Sequence, residues 1–302
     1  MSSAKHCDRR HFLKTSAVAA GLTFDTLPLA RMQAGEAPPA QTVKGHLPTG
    51  RIGKLEVTRL ICGGNLFSGF AHSGDLLYVH SLLEHYFTDD KILDTLQLCE
   101  ENGINTAILR TDEQIVRVLK RYRKERGGKI QWIAQTYPEP DNLKDNIRLA
   151  IDNGAVGAYC QGGVADDTFV KVGKADLLGE VVAFIKQNGL MAGLGSHSIE
   201  TAIISEQQKF EPDFYFKTHN SVGYHSQDPR DVAALMKTIK KPWIAFKVLG
   251  AGRLEPKDGF EAAFNNGADF INVGMYDFQV KENIALVQEI VKRHDHRERP
   301  WA

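Results

Sequence analysis

Short apolar runs recur along the chain, separated by longer stretches in which apolar residues follow helical spacing. The short runs indicate buried strands, and the stretches between them indicate amphipathic helices. The predicted strands are 59–63, 105–109, 131–136, 156–160, 190–194, 214–218, 243–248 and 270–273. The predicted helices begin near Thr88, Asp112, Asn142, Lys174, Ser198, Asp228, Pro256 and Val280. This regular alternation over roughly 250 residues predicts a (β/α)8 TIM barrel.

Local capping signals support these boundaries. Residues that cap helix starts precede the apolar pattern at Thr88, Ser198 and Asp228. Glycines stand where four helices should end, at Gly103, Gly154, Gly189 and Gly267. The main alternative fold is a doubly wound open sheet, which usually carries a G-x-G-x-x-G sequence after its first strand. The first predicted strand is instead followed by GGNL at 63–66, so the barrel is favoured.

Two segments before the first barrel helix stand outside the alternation. Residues 45–58 combine turn glycines with alternating apolar positions, which predicts a short hairpin ahead of the barrel. Residues 66–87 then form a connection of about twenty residues, where two to six are usual. Because such a connection would lie over the functional face of a barrel, we expect it to form a lid or a pocket wall.

The N-terminus has the features of an export signal. Residues 8–14 read DRRHFLK and are followed by a short, weakly apolar run and then by small residues. The paired Arg9 and Arg10 ahead of Phe-Leu-Lys resemble the twin-arginine signal. This resemblance implies a signal peptide at 1–34, a linker at 35–45 and a barrel domain at 46–302. It also implies the twin-arginine translocation machinery as a partner and a periplasmic location.

Composition narrows the range of partners. The chain has 302 residues, of which 42% are hydrophobic and 25% charged, and its formal net charge is +0. Without a basic surface, nucleic acid and anionic membranes are not expected as partners. No apolar run reaches the roughly 20 residues of a membrane helix. Cys62, Cys99 and Cys160 would remain after signal removal, and their wide spacing predicts buried thiols, although one disulfide is possible.

Several motifs of the barrel resemble those of the aldo-keto reductases. They are LEVTRL at 55–60, GINT at 103–106, IAFK at 244–247, and VGM at 273–275 followed by Glu282-Asn283. The resemblance spans roughly residues 45–291. It implies the reductase type of TIM barrel and a cofactor-side loop and final helix that would hold NADP(H). The cofactor-binding residues predicted from these motifs and from the glycine-rich turn at 250–253 are Gly252, Arg253, Gly274 and Asn283.

The chain departs from the family at the catalytic positions. The family places an Asp after strand two, a Tyr nearby, a Lys at the end of strand three and a His at the end of strand four. The matching segments here are ILR at 108–110, TDE at 111–113, QTY at 135–137 and YCQ at 159–161. Since no Lys ends strand three and no His ends strand four, hydride transfer by the family's usual mechanism is not expected.

Polar groups at other strand ends suggest where the chemistry lies instead. In the sixth predicted strand, Tyr215, Lys217 and His219 alternate, so all three are expected to face the barrel axis. Lys247 lies on the next strand, and His197 ends the previous one. A neighbouring cation makes the neutral amine of a lysine available as nucleophile or base. The predicted catalytic residues are therefore Lys217, Lys247, His219 and His197. The alternative is that a lysine pairs with a carboxylate and only closes the barrel top.

The other strand ends supply polar side chains suited to a hydroxyl-rich ligand. The predicted substrate-binding residues are Asn65, Arg110, Gln135, Gln161, Asn272 and Tyr276. Metal-dependent chemistry is the alternative. Residues of types that bind metal ions, Glu139, His197 and His219, follow predicted strands and would lie on one rim of the barrel. A divalent metal there would polarise a carbonyl or a pair of hydroxyls.

Three functional hypotheses follow. The first is an exported barrel enzyme acting on a small polar carbonyl compound or polyol of carbohydrate character, by reduction or by proton transfer. The second is a metal- or lysine-dependent isomerase, epimerase or lyase. The third is a barrel that binds a ligand without turnover. NADP(H) and a divalent metal are the candidate cofactors.

Overall fold

The structure, a computed structural model, describes residues 46–70, 76–294 and 297–302. The predicted signal peptide and linker lie outside the described residues. The first elements are strands β1 (Thr49–Ile52) and β2 (Leu55–Thr58), which pair antiparallel and confirm the predicted hairpin. Gly53 makes the turn between them with a φ of 55°, a conformation that glycine adopts without strain.

The described part of the chain forms a closed barrel of eight parallel strands in the order β10-β3-β4-β5-β6-β7-β8-β9. The strands are β3 (Leu60–Gly63), β4 (Thr106–Arg110), β5 (Gln131–Thr136), β6 (Gly157–Cys160), β7 (Met191–Ser196), β8 (Phe214–Thr218), β9 (Trp243–Phe246) and β10 (Phe270–Gly274). The predicted (β/α)8 TIM barrel with an N-terminal hairpin is therefore confirmed.

The helices follow the strands as the sequence predicts. They are α1 (Leu77–Tyr86), α2 (Asp89–Glu101), α3 (Glu113–Arg126), α4 (Asp145–Asp152), α5 (Asp176–Gln187), α6 (Ile199–Gln207), α7 (Pro229–Thr238), α8 (Pro256–Asn265) and α9 (Val280–Lys292). Thr88, Ser198 and Asp228 each accept a backbone hydrogen bond as helix caps. Helix α1 was not predicted, because it lies inside the connection that the sequence indicated as a loop. A π-helical turn, Val164–Val170, was also missed.

Side chains divide into two cores on opposite faces of the barrel strands. Ile61, Ile108, Ile133, Phe214 and Phe216 lie inside the barrel, with the hairpin residues Ile52, Leu55 and Val57 in the same cluster. The alternate positions of the strands pack outward against the helices. Since both faces are buried, the strands read as continuous apolar runs.

The described helices and cysteines bear on the predictions about membrane spans and disulfides. Among the described helices, none is long and apolar enough to cross a membrane. Cys62, Cys99 and Cys160 are buried and unbridged. Burial raises the pKa of the Cys160 thiol, which keeps it protonated and unreactive.

Candidate active site at the carboxyl ends of the barrel strands

A cavity of about 320 Å³ opens at the carboxyl ends of β9, β10 and β3. The connection before α2 forms one wall through Phe70, Val79 and Leu83, which confirms its expected place beside the pocket. The polar side chains of the lining are Asn65, Lys247, Asn272, Tyr276 and Gln279. With Gly252 and Gly274, which also line it, six of the predicted site residues meet in one cavity.

Lys247 is the titratable group in this lining that departs most from its ordinary behaviour. It follows β9 directly and has a φ of 55°, in the left-handed region. Its Nζ lies 5.3 Å from the centroid of the Tyr224 ring. Burial lowers the pKa of Lys247 from 10.5 to about 8, because a half-buried ammonium loses part of its hydration. About one tenth of the Lys247 amine is therefore neutral and nucleophilic at pH 7.

The turn after Lys247 has an unusual backbone. Gly250, Ala251 and Gly252 all have positive φ, at 53°, 61° and 78°. Arg253 donates from Nη1 to the carbonyl of Gly250 at 2.8 Å, and its guanidinium lies over the Tyr224 ring. Arg253 therefore supports the turn. Of the two predicted cofactor-binding residues in this turn, Gly252 lines the cavity and Arg253 does not.

Strand β10 and the turn that follows it contribute an amide and a phenol to the lining. The side-chain oxygen of Asn272 is buried and has no hydrogen-bond partner among the described residues. The Tyr276 ring stacks on Phe87 at 5.4 Å, which fixes its position in the wall. Gly274 also lines the cavity. Asn283 is buried on α9 and does not belong to the lining.

Lys217 does not face the barrel axis, contrary to the expectation from strand alternation. Phe214 and Phe216 fill the interior, so Tyr215 and Lys217 point outward toward the helices. Tyr215 donates to Ser205 Oγ, on α6, at 2.9 Å. Lys217 is 0% exposed, and its Nζ donates to the carbonyl of His197 at 2.7 Å. Burial lowers the pKa of Lys217 to about 8, but the amine has no access to the cavity.

His219 is also removed from the barrel axis. It is 1% exposed, and neither ring nitrogen has a hydrogen-bond partner within the described ranges. Its ring lies edge-on to Trp243, a residue of the outer core, at 5.7 Å. Burial, together with the nearby Lys217 ammonium, lowers the pKa of His219 to about 4, so the ring is neutral near neutral pH. The predicted convergence of two lysines and two histidines is therefore wrong.

His197 stands at the rim of the barrel mouth. Its Nδ1 lies 3.3 Å from Oδ2 of Asp166, and its side chain is 22% exposed. The ring centroid is 5.7 Å from that of His225 and 5.5 Å from that of Phe246, which lines the cavity.

Arg110 and Gln135 belong to a polar cluster on the other side of the mouth. The Arg110 guanidinium lies over the rings of both Phe70 and Tyr137. It donates to the Tyr137 hydroxyl at 2.7 Å and to Asp112 at 3.2 Å. Gln135 accepts from the hydroxyl of Tyr159 at 2.7 Å. These bonds satisfy the side chains internally, beside a shallow cleft of about 540 Å³.

The remaining predicted residues take local structural roles or stand apart. Gln161 accepts from the backbone N–H of Val164 at 2.8 Å and so starts the π-helical turn. Glu139 lines the shallow cleft. Among the described residues, no group of three or more His, Cys, Asp or Glu side chains could hold a metal ion. Glu139, His197 and His219 are thus not brought together, because His219 points into the outer core.

Sequence reasoning missed three polar residues of the mouth: Asp166, His225 and Tyr137. Asp166 lies in a segment without strand or helix pattern, and only the fold brings it to His197. His225 lies in the connection between β8 and α7 with a φ of 43°. Tyr137 did have a signal, since it directly follows a predicted strand.

Comparisons with known proteins agree with the architecture. Neither a protein-family model nor a curated protein matches the chain. Among solved structures, a candidate aldo-keto reductase from Pseudomonas aeruginosa has a TM-score of 0.60 and 16% identity, covering 82% of this chain and 96% of its own. A truncated 3-deoxy-D-arabino-heptulosonate 7-phosphate synthase from Thermotoga maritima has a TM-score of 0.53 and 11% identity, covering 83% and 93%. An N-acetylneuraminic acid synthetase from Leptospira borgpetersenii has a TM-score of 0.51 and 14% identity, covering 85% and 94%.

These identities establish similarity of fold alone. The chain is similar to aldo-keto reductase barrels in strand order and in its N-terminal hairpin. The same barrel carries unrelated chemistries, so the activity has to be argued from the site.

Proposed function

We propose that this protein is a barrel enzyme that acts on a small, hydroxyl-bearing carbonyl compound of carbohydrate character, with Lys247 as the reacting amine. The observation that carries the proposal is Lys247 itself, whose pKa burial lowers to about 8 in the lining of the cavity. A lysine amine that is partly neutral near pH 7 is suited to attack a carbonyl or to remove a proton beside one.

The chemistry at Lys247 is imine formation. The Nζ lone pair forms a bond to the carbonyl carbon, and the oxygen becomes a hydroxyl. A proton then leaves the nitrogen, another reaches that hydroxyl, and water departs to leave a C=N bond. The resulting iminium withdraws electrons, which makes proton removal or carbon–carbon bond cleavage at the adjacent carbon easier. This route fits the isomerase and lyase classes and needs no metal ligands at the rim.

The cavity matches a small polyhydroxylated ligand. Its volume of about 320 Å³ lies at the lower end of the range for small-molecule sites. Asn65, Asn272 and Tyr276 bring amide and phenol groups into the same lining as Lys247, while Phe70 and Leu83 form an apolar wall. The buried oxygen of Asn272, which no described residue satisfies, is suited to accept from a ligand hydroxyl.

Two further observations support the assignment. Lys247, Ala251 and His225 are non-glycine residues with positive φ around the mouth, and such backbone strain concentrates at functional sites. Two structural neighbours are named as synthases of a heptulosonate phosphate and of N-acetylneuraminic acid, which are sugar acids.

Imine trapping tests the proposal. The protein is incubated with dihydroxyacetone and sodium cyanoborohydride near pH 7, and the reduced adduct is located by peptide mass spectrometry. We expect a single dominant adduct on Lys247 that is lost in Lys247→Met. Lys171→Met is the control, because Lys171 is an exposed lysine that pairs with Asp167 and lies outside the cavity lining. Adduct spread over exposed lysines, with none enriched at Lys247, would instead favour a barrel that binds without turnover.

Reduction with NADP(H) is the second candidate. It is favoured by one observation, that Gly252 and Gly274 line the same cavity beside Tyr276. Glycines there let a backbone approach a bound cofactor closely. Titration with NADPH, followed by its fluorescence and by thermal shift, tests this candidate. Saturable binding, with oxidation of the bound NADPH when dihydroxyacetone is added, would support it, and an unchanged melting temperature at saturating NADPH would remove it.

Export by the twin-arginine route is part of the proposal. It rests on the Arg9-Arg10 motif and the segment that follows it. Cell fractionation of the full chain and of an Arg9→Lys, Arg10→Lys double variant tests it. We expect the native chain to reach the periplasm and the variant to stay in the cytoplasm; equal distribution of the two would refute the export assignment.

A further inference from the structure

The backbone of His197 is held by two buried groups of opposite charge. Its N–H donates to Oδ2 of Asp166 at 2.6 Å. Its carbonyl accepts from Nζ of Lys217 at 2.7 Å and from Oγ1 of Thr218 at 3.3 Å. A residue pinned at both backbone groups has a fixed Cα position, so its side chain has little freedom to move away from the barrel mouth.

Asp166 is built into the fold as an acceptor. It is 5% exposed and lies in the π-helical turn Val164–Val170. Beyond the His197 N–H, its Oδ2 accepts from the N–H of Ser198 at 3.3 Å, and its Oδ1 accepts from Thr201 Oγ1 at 2.6 Å. A buried carboxylate that receives several hydrogen bonds is held in one orientation. π-Helical turns occur frequently at functional sites.

The same carboxylate also faces the His197 ring. Oδ2 lies 3.3 Å from Nδ1, so a hydrogen on Nδ1 would face the carboxylate. Nε2 has no hydrogen-bond partner among the residues that the structure describes, and the ring is partly exposed. A Cβ at position 162 would lie 3.2 Å from Cε1 of His197, so Gly162 lets the ring pack closely against the backbone.

The His197 ring contacts a residue of the cavity lining, although His197 itself does not belong to that lining. Phe246 lies 5.5 Å from the His197 ring and also lines the cavity, and Lys247 is the next residue. His225 lies beside the His197 ring at 5.7 Å, and its pKa is lowered first by burial and then by the Lys247 charge. His197 and Lys247 therefore both lie near His225, with Phe246 beside them.

We propose that His197 is the proton-transfer partner of Lys247 and that Asp166 is its positioning residue. This inference rests on the proposed function. Nε2 of the His197 imidazole takes the proton that leaves the attacking nitrogen, which makes the ring an imidazolium, and then gives a proton to the hydroxyl that departs as water. The Asp166 carboxylate holds the ring hydrogen on Nδ1, which leaves the Nε2 lone pair to accept that proton. Lys217, expected from the sequence to react, instead holds the His197 carbonyl.

The tautomer of His197 tests the dyad without any substrate. Protein labelled with ¹⁵N-histidine is compared by NMR with a His197→Gln variant, which assigns the ring signals. We expect neutral His197 to carry its hydrogen on Nδ1, and Asp166→Asn to reduce that population. Asp167→Asn is the matched control, because Asp167 is the exposed neighbour that pairs with Lys171. A hydrogen on Nε2 in the native protein would overturn the inference.

The role in proton transfer is tested by the rate of adduct formation with dihydroxyacetone and cyanoborohydride. We expect Asp166→Asn to slow the reaction about 100-fold, the scale of a positioned acid–base group, with the half-saturating dihydroxyacetone concentration unchanged. Asp167→Asn should leave both unchanged. An unaltered rate in Asp166→Asn would refute the role. If the native protein forms no adduct although His197 shows the Nδ1–H tautomer, the proposed function fails while the His197–Asp166 pairing stands.

Discussion

Lys247 should react with acetic anhydride at a pH where ordinary lysines are almost fully protected by protonation. The perturbation is a pH titration of amine reactivity from about pH 6 to pH 11, a range that spans both pKa values in question. Burial lowers the pKa of Lys247 from 10.5 to about 8. Because only the neutral amine attacks the anhydride, the rate of labelling reports the neutral fraction directly.

The magnitude follows from the two pKa values. At pH 7, an amine with a pKa of about 8 is about one tenth neutral, whereas one with a pKa of 10.5 is about 0.03% neutral. The neutral fraction therefore differs about 300-fold. A less basic amine is also a weaker nucleophile, and a Brønsted slope of about 0.5, the value for thiols, reduces the rate advantage to about 20-fold.

The assay is competitive labelling with a trace of isotopic acetic anhydride, followed by full acetylation after unfolding and by peptide mass spectrometry. We expect the labelling of Lys247 to rise with a midpoint near pH 8. Lys217 is the internal control, because its pKa is also lowered to about 8 but its side chain is 0% exposed. Lys217 should stay unlabelled in the folded protein. The comparison thus separates the effect of a lowered pKa from the effect of exposure to the anhydride.

Two results would contradict the lowered pKa of Lys247 or the burial of Lys217. A labelling midpoint above about pH 10 for Lys247 would mean that the cavity does not disfavour the ammonium. Labelling of Lys217 at the rate of Lys247 would mean that it is reachable, and that the assignment of the two lysines to opposite sides of the strands is wrong.

Three other changes test the surrounding structure. Lys217→Met should flatten the pH dependence of stability. The lowered pKa of Lys217 in the folded protein makes the native free energy of unfolding rise by about 3 kcal/mol between pH 8 and pH 10.5. The variant has no amine at this position, so its urea unfolding should lack that rise. His219→Leu should raise the free energy of unfolding by about 1 kcal/mol, since it removes buried ring nitrogens without partners among the described residues; lower stability would show that they are satisfied. Gly195→Ala should lower the free energy of unfolding by about 2 kcal/mol, because the added Cβ would lie 2.7 Å from the Cys160 carbonyl oxygen. An unchanged melting temperature would contradict this packing.

The strand limits show how far the sequence could predict the fold. Strands 131–136 and 214–218 were predicted at their observed ends, and the others within about two residues, because apolar runs and capping residues are local signals. Helix α1 was missed because its local signals are weak. It lies in a segment whose helical spacing is short, and it is stabilised by packing Val79 and Leu83 against the outer core rather than by a side-chain cap of its own.

The candidate site was predicted less completely. Lys247, Asn65, Asn272 and Tyr276 were found because the carboxyl ends of barrel strands meet at one face whatever the side-chain directions. Lys217 and His219 were assigned to the wrong side of β8. Alternation shows that they share a face, but on a strand buried on both sides it does not show which face is inside.

By itself, the sequence determined the order and type of the elements, the barrel and the end of the barrel that carries polar groups, because periodicity and strand direction are properties of short segments. The tertiary structure decided which lysine reaches the cavity and which holds a backbone carbonyl. It also brought Asp166 to His197 and lowered the pKa of Lys247. These depend on packing between residues far apart in the chain, since desolvation and hydrogen bonding act through space and leave no trace in local spacing.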